Sequence, residues 1–238
     1  RAKKMTQFID HVLAILPFEP AYMHEAGISC DFVGHPIVSE LAPTNQEIRL
    51  FRGSLNIERE TPIVSILPGS RKSEIARMLP ILIKMIKLVS DKFPNLVFII
   101  PSTRNVSYLV SRYIKNINLP IIQIREEEDS IKFESDKKIL FSTSLAAVAT
   151  SGTVSLELAR MGAPMVIGYR ASVFTEILLK IFVRLNSATL INILTSRTDV
   201  TELLFSKCTY QNLSIALITL LTDRNHVDRQ RISVNNAM

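Results

Sequence analysis

Two stretches of this chain follow one plan: an apolar, strand-like run stops at a small turn-forming pair, and a helical pattern starts at once. Ile63–Leu67 is cut off by Pro68-Gly69, and Ala146–Thr150 by Ser151-Gly152. A strand that feeds directly into a helix does not fold back as a hairpin. The next strand then arrives by a crossover and lies parallel to the first. The alternation extends over most of the chain. Strands are predicted at His11–Phe18, Asp31–Val33, Ile63–Leu67, Val97–Ile100, Ile121–Ile124, Ala146–Thr150 and Pro164–Gly168. Helices are predicted at Pro20–Ala26, Asn45–Leu55, from Ser70 through Val89, and at Val106–Ile114, Asp136–Ser144, Val154–Met161, Val173–Leu185 and Gln211–Leu221. The class is α/β: a Rossmann-like parallel sheet with right-handed crossovers and helices on both faces.

Local signals refine this outline. Gly27 ends the first helix, Gly162 caps a later one, and the second strand closes on Gly34-His35-Pro36. From Glu40 to Thr61 the composition turns polar and irregular, which marks a junction between domains. Ser70 is expected to cap the long helix, with Glu74 in its first turn complementing the dipole. That helix repeats Ile75, Met78, Leu79, Leu82, Ile86 and Val89 at core-facing spacing. The acidic run Glu126–Asp129 reads as a solvated loop or a helix start.

Composition narrows the functional classes. With 238 residues the chain holds between one and two domains, and 47% hydrophobic content excludes disorder. The 7 Gly and 11 Pro exclude a collagen-like chain. A net charge of +6 suits an anionic partner: phosphate, nucleic acid or anionic membrane. Aromatic residues are scarce and Trp is absent, so stacking platforms for single-stranded nucleic acid are poorly supplied and no nucleic-acid partner is expected. Cys30 and Cys208 lie far apart in no metal-ligand spacing and read as reduced thiols. The basic start followed by Val12–Phe18 is too short and too interrupted for a signal peptide, and no apolar run reaches spanning length. The chain opens on Arg1 and closes on Asn235-Asn236-Ala237-Met238 without a helix stop, so a piece of a longer protein is expected.

Three motifs bear chemistry. In Leu67-Pro68-Gly69-Ser70-Arg71, free N–H groups and the helix dipole face out from the strand end, where a phosphate is stabilised. Arg71 adds a planar two-toothed donor. The other reading is an ordinary strand-to-helix turn with a surface arginine. Neither the dinucleotide fingerprint nor the P-loop pattern is present. In Ala149-Thr150-Ser151-Gly152-Thr153-Val154-Ser155-Leu156-Glu157 the architecture repeats. Ser151, Gly152 and Thr153 offer donors to a phosphate, and Glu157 offers an acceptor to two vicinal sugar hydroxyls. Taken alone it is a helix cap followed by a first-turn glutamate; beside the first turn, the pair suits a nucleotide diphosphate. In Val173–Leu185, Phe174, Ile177, Leu178, Ile181, Phe182 and Leu185 form a stripe flanked by Arg170, Lys180 and Arg184. The stripe fits either a core-facing helix or an interfacial one. His35 sits at the junction, as a turn stabiliser or a ligand contact. His11, His24 and His226 make no metal pattern, and neither a metal, a cofactor nor covalent catalysis is expected.

Taken together these residues resemble the lipid-A-disaccharide synthase family, GT-B glycosyltransferases of Gram-negative bacteria. The matching stretches are Leu13-Ala14-Ile15-Leu16-Pro17-Phe18-Glu19, Phe32-Val33-Gly34-His35-Pro36, Leu67–Arg71, Ser151-Gly152-Thr153 with Leu156-Glu157, and Pro164–Arg170, in the family's order and spacing. The resemblance implies the carboxy-terminal half of a GT-B glycosyltransferase. Residues 1–40 would be the tail of the amino-terminal domain, 41–62 the junction, 63–223 the nucleotide-sugar-binding domain and 224–238 a truncated carboxy-terminal segment. It implies transfer of diacylglucosamine from UDP-diacylglucosamine onto diacylglucosamine 1-phosphate, with release of UDP and a β-1,6 linkage. Carried over by position, Gly69, Ser70 and Arg71 hold the diphosphate, Ser151, Gly152 and Thr153 complete the cradle, and Glu157 meets the ribose. Asn192 and Glu202 match further polar positions facing the cleft. The Val173–Leu185 helix would meet acyl chains or the inner membrane, placing the protein in the cytoplasm, peripheral on that surface.

Departures from the family pattern fall at Ile191, where Pro is usual, at Ser196, where Gly is usual, and at Phe205, where Gln is usual. The glycine-rich entry and the acidic general base of the amino-terminal domain are not in this sequence. A second polypeptide carrying that domain is therefore an implied partner, and the chain alone is expected to bind UDP-sugar without turnover. Rival readings are another GT-B enzyme (UDP-N-acetylglucosamine epimerase or peptidoglycan transferase type), a non-enzymatic remnant of a split gene, and a basic nucleic-acid-binding domain. Scattered charge and few aromatics disfavour the last.

Overall fold

The computed structural model describes residues 2–170, 189–195 and 197–237. The helix expected over Val173–Leu185, with Phe174, Ile177, Leu178, Ile181 and Phe182, lies outside the described residues, as does Ser196. The chain divides into two compact units, Arg1–Leu41 and Ala42–Met238.

The first unit runs α1 (Ala2–Met5), β1 (His11–Ala14), α2 (Glu19–Glu25) and β2 (Ser29–Phe32), with β1 and β2 parallel, Leu13 opposite Asp31. The first strand is shorter than its apolar run because the Glu19 carboxylate accepts the N–H groups of Ile15 (3.1 Å) and Leu16 (2.9 Å) and turns the chain into α2. Gly27, at φ +83°, ends the helix as expected. His35 is the turn stabiliser of its two readings: its Nδ1 accepts the Ile37 N–H at 3.2 Å and caps a single 3-10 turn, Pro36–Ser39.

The second unit begins with α3 (Asn45–Ser54), opened by a reciprocal cap between Thr44 and Glu47. There follow β3 (Ile63–Leu67), α4 (Lys72–Lys92), β4 (Val97–Ser102), α5 (Arg104–Ile114), β5 (Ile121–Arg125), α6 (Ser130–Thr143) and β6 (Ser144–Thr150). Then come α7 (Val154–Arg160), β7 (Met165–Tyr169), α8 (Leu190–Thr195), β8 (Thr201–Leu204), α9 (Tyr210–Thr222) and α10 (Arg224–Ala237). The six strands are all parallel, in the order β5-β4-β3-β6-β7-β8. From β3 the chain builds outward to one edge, then returns to lay β6 on the other side of β3. That is the Rossmann-like, doubly wound order.

One face of the sheet is covered by α4, α5 and α9. The α4 stripe read from the sequence is buried whole, with Met85 added to it, against Val64, Ile66, Phe98, Val148 and Val166. This packing carries α4 through Pro80. A mid-helix proline costs about 3 kcal/mol, whereas each fully buried aliphatic side chain of the stripe returns roughly 1.5–3 kcal/mol. Gly168 lets α9 approach β7 closely, since a Cβ there would lie 3.1 Å from Leu213 Cδ2 and 3.3 Å from Cys208 Sγ. Burial pushes the Cys208 thiol up to about 11, in keeping with an unreactive core cysteine.

In the second unit, three of the numbered elements have no counterpart in the sequence reading. β8 is a short edge strand, α8 is six residues long, and α10 begins at Asp223, whose carboxylate accepts the His226 N–H at 3.0 Å. Buried Gln230 ties α10 to β7: its side chain accepts from the Met165 N–H (2.6 Å) and donates to the Met165 carbonyl (3.0 Å). α6 starts earlier than predicted because Asp129, at the end of the acidic run, accepts the Lys132 N–H at 2.8 Å and caps it.

Candidate functional site

Leu67 pairs with Ala149, so β3 and β6 end side by side and the two small-residue turns open together at the carboxyl edge. This is the switch point, where the sheet order reverses and ligands of doubly wound folds bind. Gly69, Ser70 and Arg71 from one turn and Ser151, Gly152 and Thr153 from the other line a single cleft of about 430 Å³. Glu157 lines it as well, together with Glu74, Thr103, Phe133 and Lys137.

The first turn differs from expectation in its cap. Arg71, not Ser70, occupies the cap position of α4. The Glu74 side chain folds back instead: its Oε2 accepts the N–H of Ser70 (3.0 Å) and of Arg71 (3.3 Å), and its Oε1 accepts from the Arg71 guanidinium at 2.9 Å. The Glu74 carboxylate thus satisfies the donors of the turn itself, which a serine cap, accepting from further into the helix, would leave open. Gly69 is required by this closure. Its φ is +111°, and a Cβ would stand 2.6 Å from the Cβ of Glu74. From α5, Asn105 Nδ2 donates to the Ser70 carbonyl at 3.2 Å and holds the turn from the side.

The second turn is built otherwise. Ser155 Oγ donates to the Gly152 carbonyl at 2.9 Å. The N–H groups of Gly152, Thr153 and Val154 have no hydrogen-bond partner among the described residues. Glu157 does not turn back toward them. Its Oε2 lies 2.9 Å from Lys137 Nζ, and that ammonium is 2.6 Å from Glu134 Oε2. The Lys137 side chain is only 16% exposed. Burial opposes its charge, but Glu157 and Glu134 outweigh it, and its pKa stands above the ordinary lysine value. No motif reading pointed to Lys137, Phe133 or Thr103. They enter from α6 and the loop after β4, and nothing in their local sequence sets them apart.

Asn192 and Glu202 do not line this cleft. Asn192 is buried and its amide is satisfied: it donates to the Val200 carbonyl (2.8 Å) and to Glu202 Oε1 (2.7 Å) and accepts the Val200 N–H (3.1 Å). Glu202 also receives the Thr189 N–H at 3.1 Å. Together they brace α8 against β8. Phe205 stacks edge-on to Tyr169 with ring centres 6.2 Å apart. Among the described residues no group of His, Cys, Asp and Glu is placed to hold a metal ion, and no helix is long and apolar enough to cross a membrane.

A Rossmann-like unit with paired turns at its switch point is the architecture of the GT-B glycosyltransferase class, and solved structures of that fold superpose on it. The Staphylococcus aureus MnaA–UDP co-structure matches with a TM-score of 0.64 at 13% identity, over 96% of this chain and 56% of that one. Escherichia coli ADP-heptose LPS heptosyltransferase II matches with a TM-score of 0.56 at 12% identity, over 78% and 54%. At such identities the likeness is one of fold alone. Sequence carries the identification further. The family model described as lipid-A-disaccharide synthetase matches residues 1–237. The lipid-A-disaccharide synthase of Rhodospirillum centenum is 36% identical over 223 residues, 94% of this chain and 54% of the relative. The probable mitochondrial lipid-A-disaccharide synthase of Arabidopsis thaliana is 33% identical over 95% of this chain and 51% of its own length. The chain belongs to the lipid-A-disaccharide synthase family, and it spans about half the length of the curated relatives it matches.

Proposed function

We propose that this chain is the donor-binding part of a glycosyltransferase that makes the lipid A disaccharide from UDP-diacylglucosamine and diacylglucosamine 1-phosphate. The observation that carries this reading is the meeting of two strand-to-helix turns on one cleft, in a chain of this family. In the reaction the acceptor hydroxyl attacks the anomeric carbon as the bond to UDP breaks. The electron pair leaves on the diphosphate, and the hydroxyl proton passes to a base. Donors aimed at the departing diphosphate lower the barrier. Here they are the Arg71 guanidinium with the backbone of Gly69 and Ser70, and the donors of Ser151, Gly152 and Thr153. Glu157 Oε1, with no protein partner among the described residues, accepts from the ribose hydroxyls.

Two further features belong to this reading. Glu74 occupies the N–H groups of Ser70 and Arg71, so diphosphate binding exchanges a carboxylate for a phosphate at the first turn. Both cleft carboxylates are paired with cations, Glu74 with Arg71 and Glu157 with Lys137, and neither is offered as the general base. The base then resides on the other half of the enzyme, with which this chain works at the inner-membrane surface. The apolar stripe from Phe174 to Phe182 supports contact with that surface or with the acyl chains.

Calorimetric titration with UDP tests the proposal. The chain is expected to bind UDP, and Arg71→Ala to weaken binding about 10-fold or more, the scale of one lost charge-assisted contact. Indifference to UDP, or equal affinity in the variant, overturns the reading and leaves an inert remnant. Disaccharide synthesis by the purified chain alone would refute the assignment of the base elsewhere.

A further inference from the structure

The cleft holds a lysine to which no role has yet been given. We infer that Lys137 is a positioning residue for sugar recognition: it fixes the Glu157 carboxylate at the cleft, so that the free carboxylate oxygen faces the ribose of the bound nucleotide. The inference rests on the donor-binding reading above and deepens it.

The other turn of the cleft offers a comparison. Glu74 and Glu157 each stand five residues after a turn glycine, Gly69 and Gly152, on adjacent parallel strands' helices. Glu74 pairs with Arg71 of its own turn, and its carboxylate folds back to accept the N–H groups of Ser70 and Arg71. Glu157 sits one position deeper in its helix, the fourth residue after the cap Thr153 where Glu74 is the third after Arg71, and the N–H groups of Thr153 and Val154 lack a partner among the described residues. Lys137, one helix away on α6, draws Oε2 to 2.9 Å and is itself held by Glu134 at 2.6 Å. A short ion pair with a mostly buried side chain fixes the carboxylate's rotamer as well as its charge. Oε1 is left open toward the cleft, with lone pairs for two vicinal hydroxyls.

Without Lys137, the Glu157 carboxylate is expected to lose its fixed rotamer and with it the ribose. The readout that separates this from a merely structural role is discrimination between UDP and 2′-deoxy-UDP, measured by calorimetry on the whole chain. The unsubstituted chain is expected to prefer UDP by about 10-fold, the worth of one hydrogen bond to a charged group. Lys137→Met lowers that preference to about 2-fold while the affinity for 2′-deoxy-UDP moves by less than about 2-fold. Lys137→Arg restores most of the preference, and the double variant K137M/E157Q discriminates no worse than E157Q, because the two residues act as one unit. Should K137M fail to fold, the double variant, which leaves no unpaired charge, must match E157Q in its ratio. An unchanged preference in K137M overturns the inference, and so does an equal loss for both nucleotides. If UDP does not bind the unsubstituted chain, the donor-binding reading fails and this inference falls with it. If UDP binds and E157Q keeps the preference, the ribose role is lost and this inference is overturned, while the donor-binding reading stands.

Discussion

The two turns of the cleft share a sequence plan and differ in what their glutamates do. Glu74 closes the first turn on itself, backed by Arg71 at 2.9 Å. Glu157 leaves the second turn open, tethered to Lys137 at 2.9 Å. One plan therefore yields a self-satisfied helix start where the glutamate is the third helical residue beside an arginine, and an unoccupied donor set where it is the fourth and is paired from another helix. The difference teaches that a helix start offers its donors freely when its first-turn acid is engaged elsewhere, and otherwise only in exchange for that acid. It also implies a division of labour. An anion entering the cleft meets free donors at the second turn and must displace a carboxylate at the first.

Three measurements press on this comparison. The largest effect is expected at Gly69, where positive φ and the 2.6 Å approach to Glu74 combine. Gly69→Val should lower stability by about 3 kcal/mol in urea unfolding, the sum of backbone strain and overpacking. A loss within about 0.5 kcal/mol, the range of ordinary surface substitutions, means that the closed turn relaxes and is not a constraint. A middling effect is expected from Glu74→Gln, which keeps the shape of the cap and removes its charge. UDP should bind about 5-fold tighter because the competitor is weaker, while the helix loses about 1 kcal/mol of capping. Weaker UDP binding in this variant makes Glu74 a ligand instead of a competitor. The smallest effect concerns pH. The pKa of Lys137 is raised in the folded chain, so its pairing stabilises the fold fully below the ordinary lysine value of about 10.4 and fades as pH climbs through the raised one. The stability gap between the chain and K137M should thus be flat from neutral to mildly alkaline pH and narrow only beyond. A gap that closes already near neutrality contradicts a charged Lys137 in the pair.

Much of the scaffold was legible residue by residue. Ile63–Leu67 is a strand over the very span its β-rich run marks out. The α4 stripe is buried throughout, and the turns at Gly69 and Gly152 stand where small residues interrupt apolar runs. These are local signals: periodicity, β-branching and turn chemistry act within a few residues. β8 escaped notice because an edge strand of four half-buried residues shows no sustained pattern. α10 escaped because its polar composition hides one buried glutamine, Gln230, whose hydrogen bonds to Met165 hold it to the sheet. Asn192 and Glu202, expected from the family resemblance to face the cleft, hydrogen-bond to each other, and Asn192 also to the Val200 backbone. In the site itself, Gly69, Ser70, Arg71, Ser151, Gly152, Thr153 and Glu157 could be nominated from sequence, but Lys137 could not.

By itself the sequence determined the order of strands and helices, the two turns, the parallel α/β class and the family pattern. Tertiary structure alone decided that β6 lies against β3 and not at an edge, which is what turns two separate turns into one cleft. It alone decided that Lys137 reaches Glu157 across a helix boundary, so that the glutamate of the second turn is held by a residue from another helix. The reason is physical: hydrogen-bonding and packing preferences are written over a few neighbouring residues, whereas the pairing of charges from different elements depends on where the sheet order brings them.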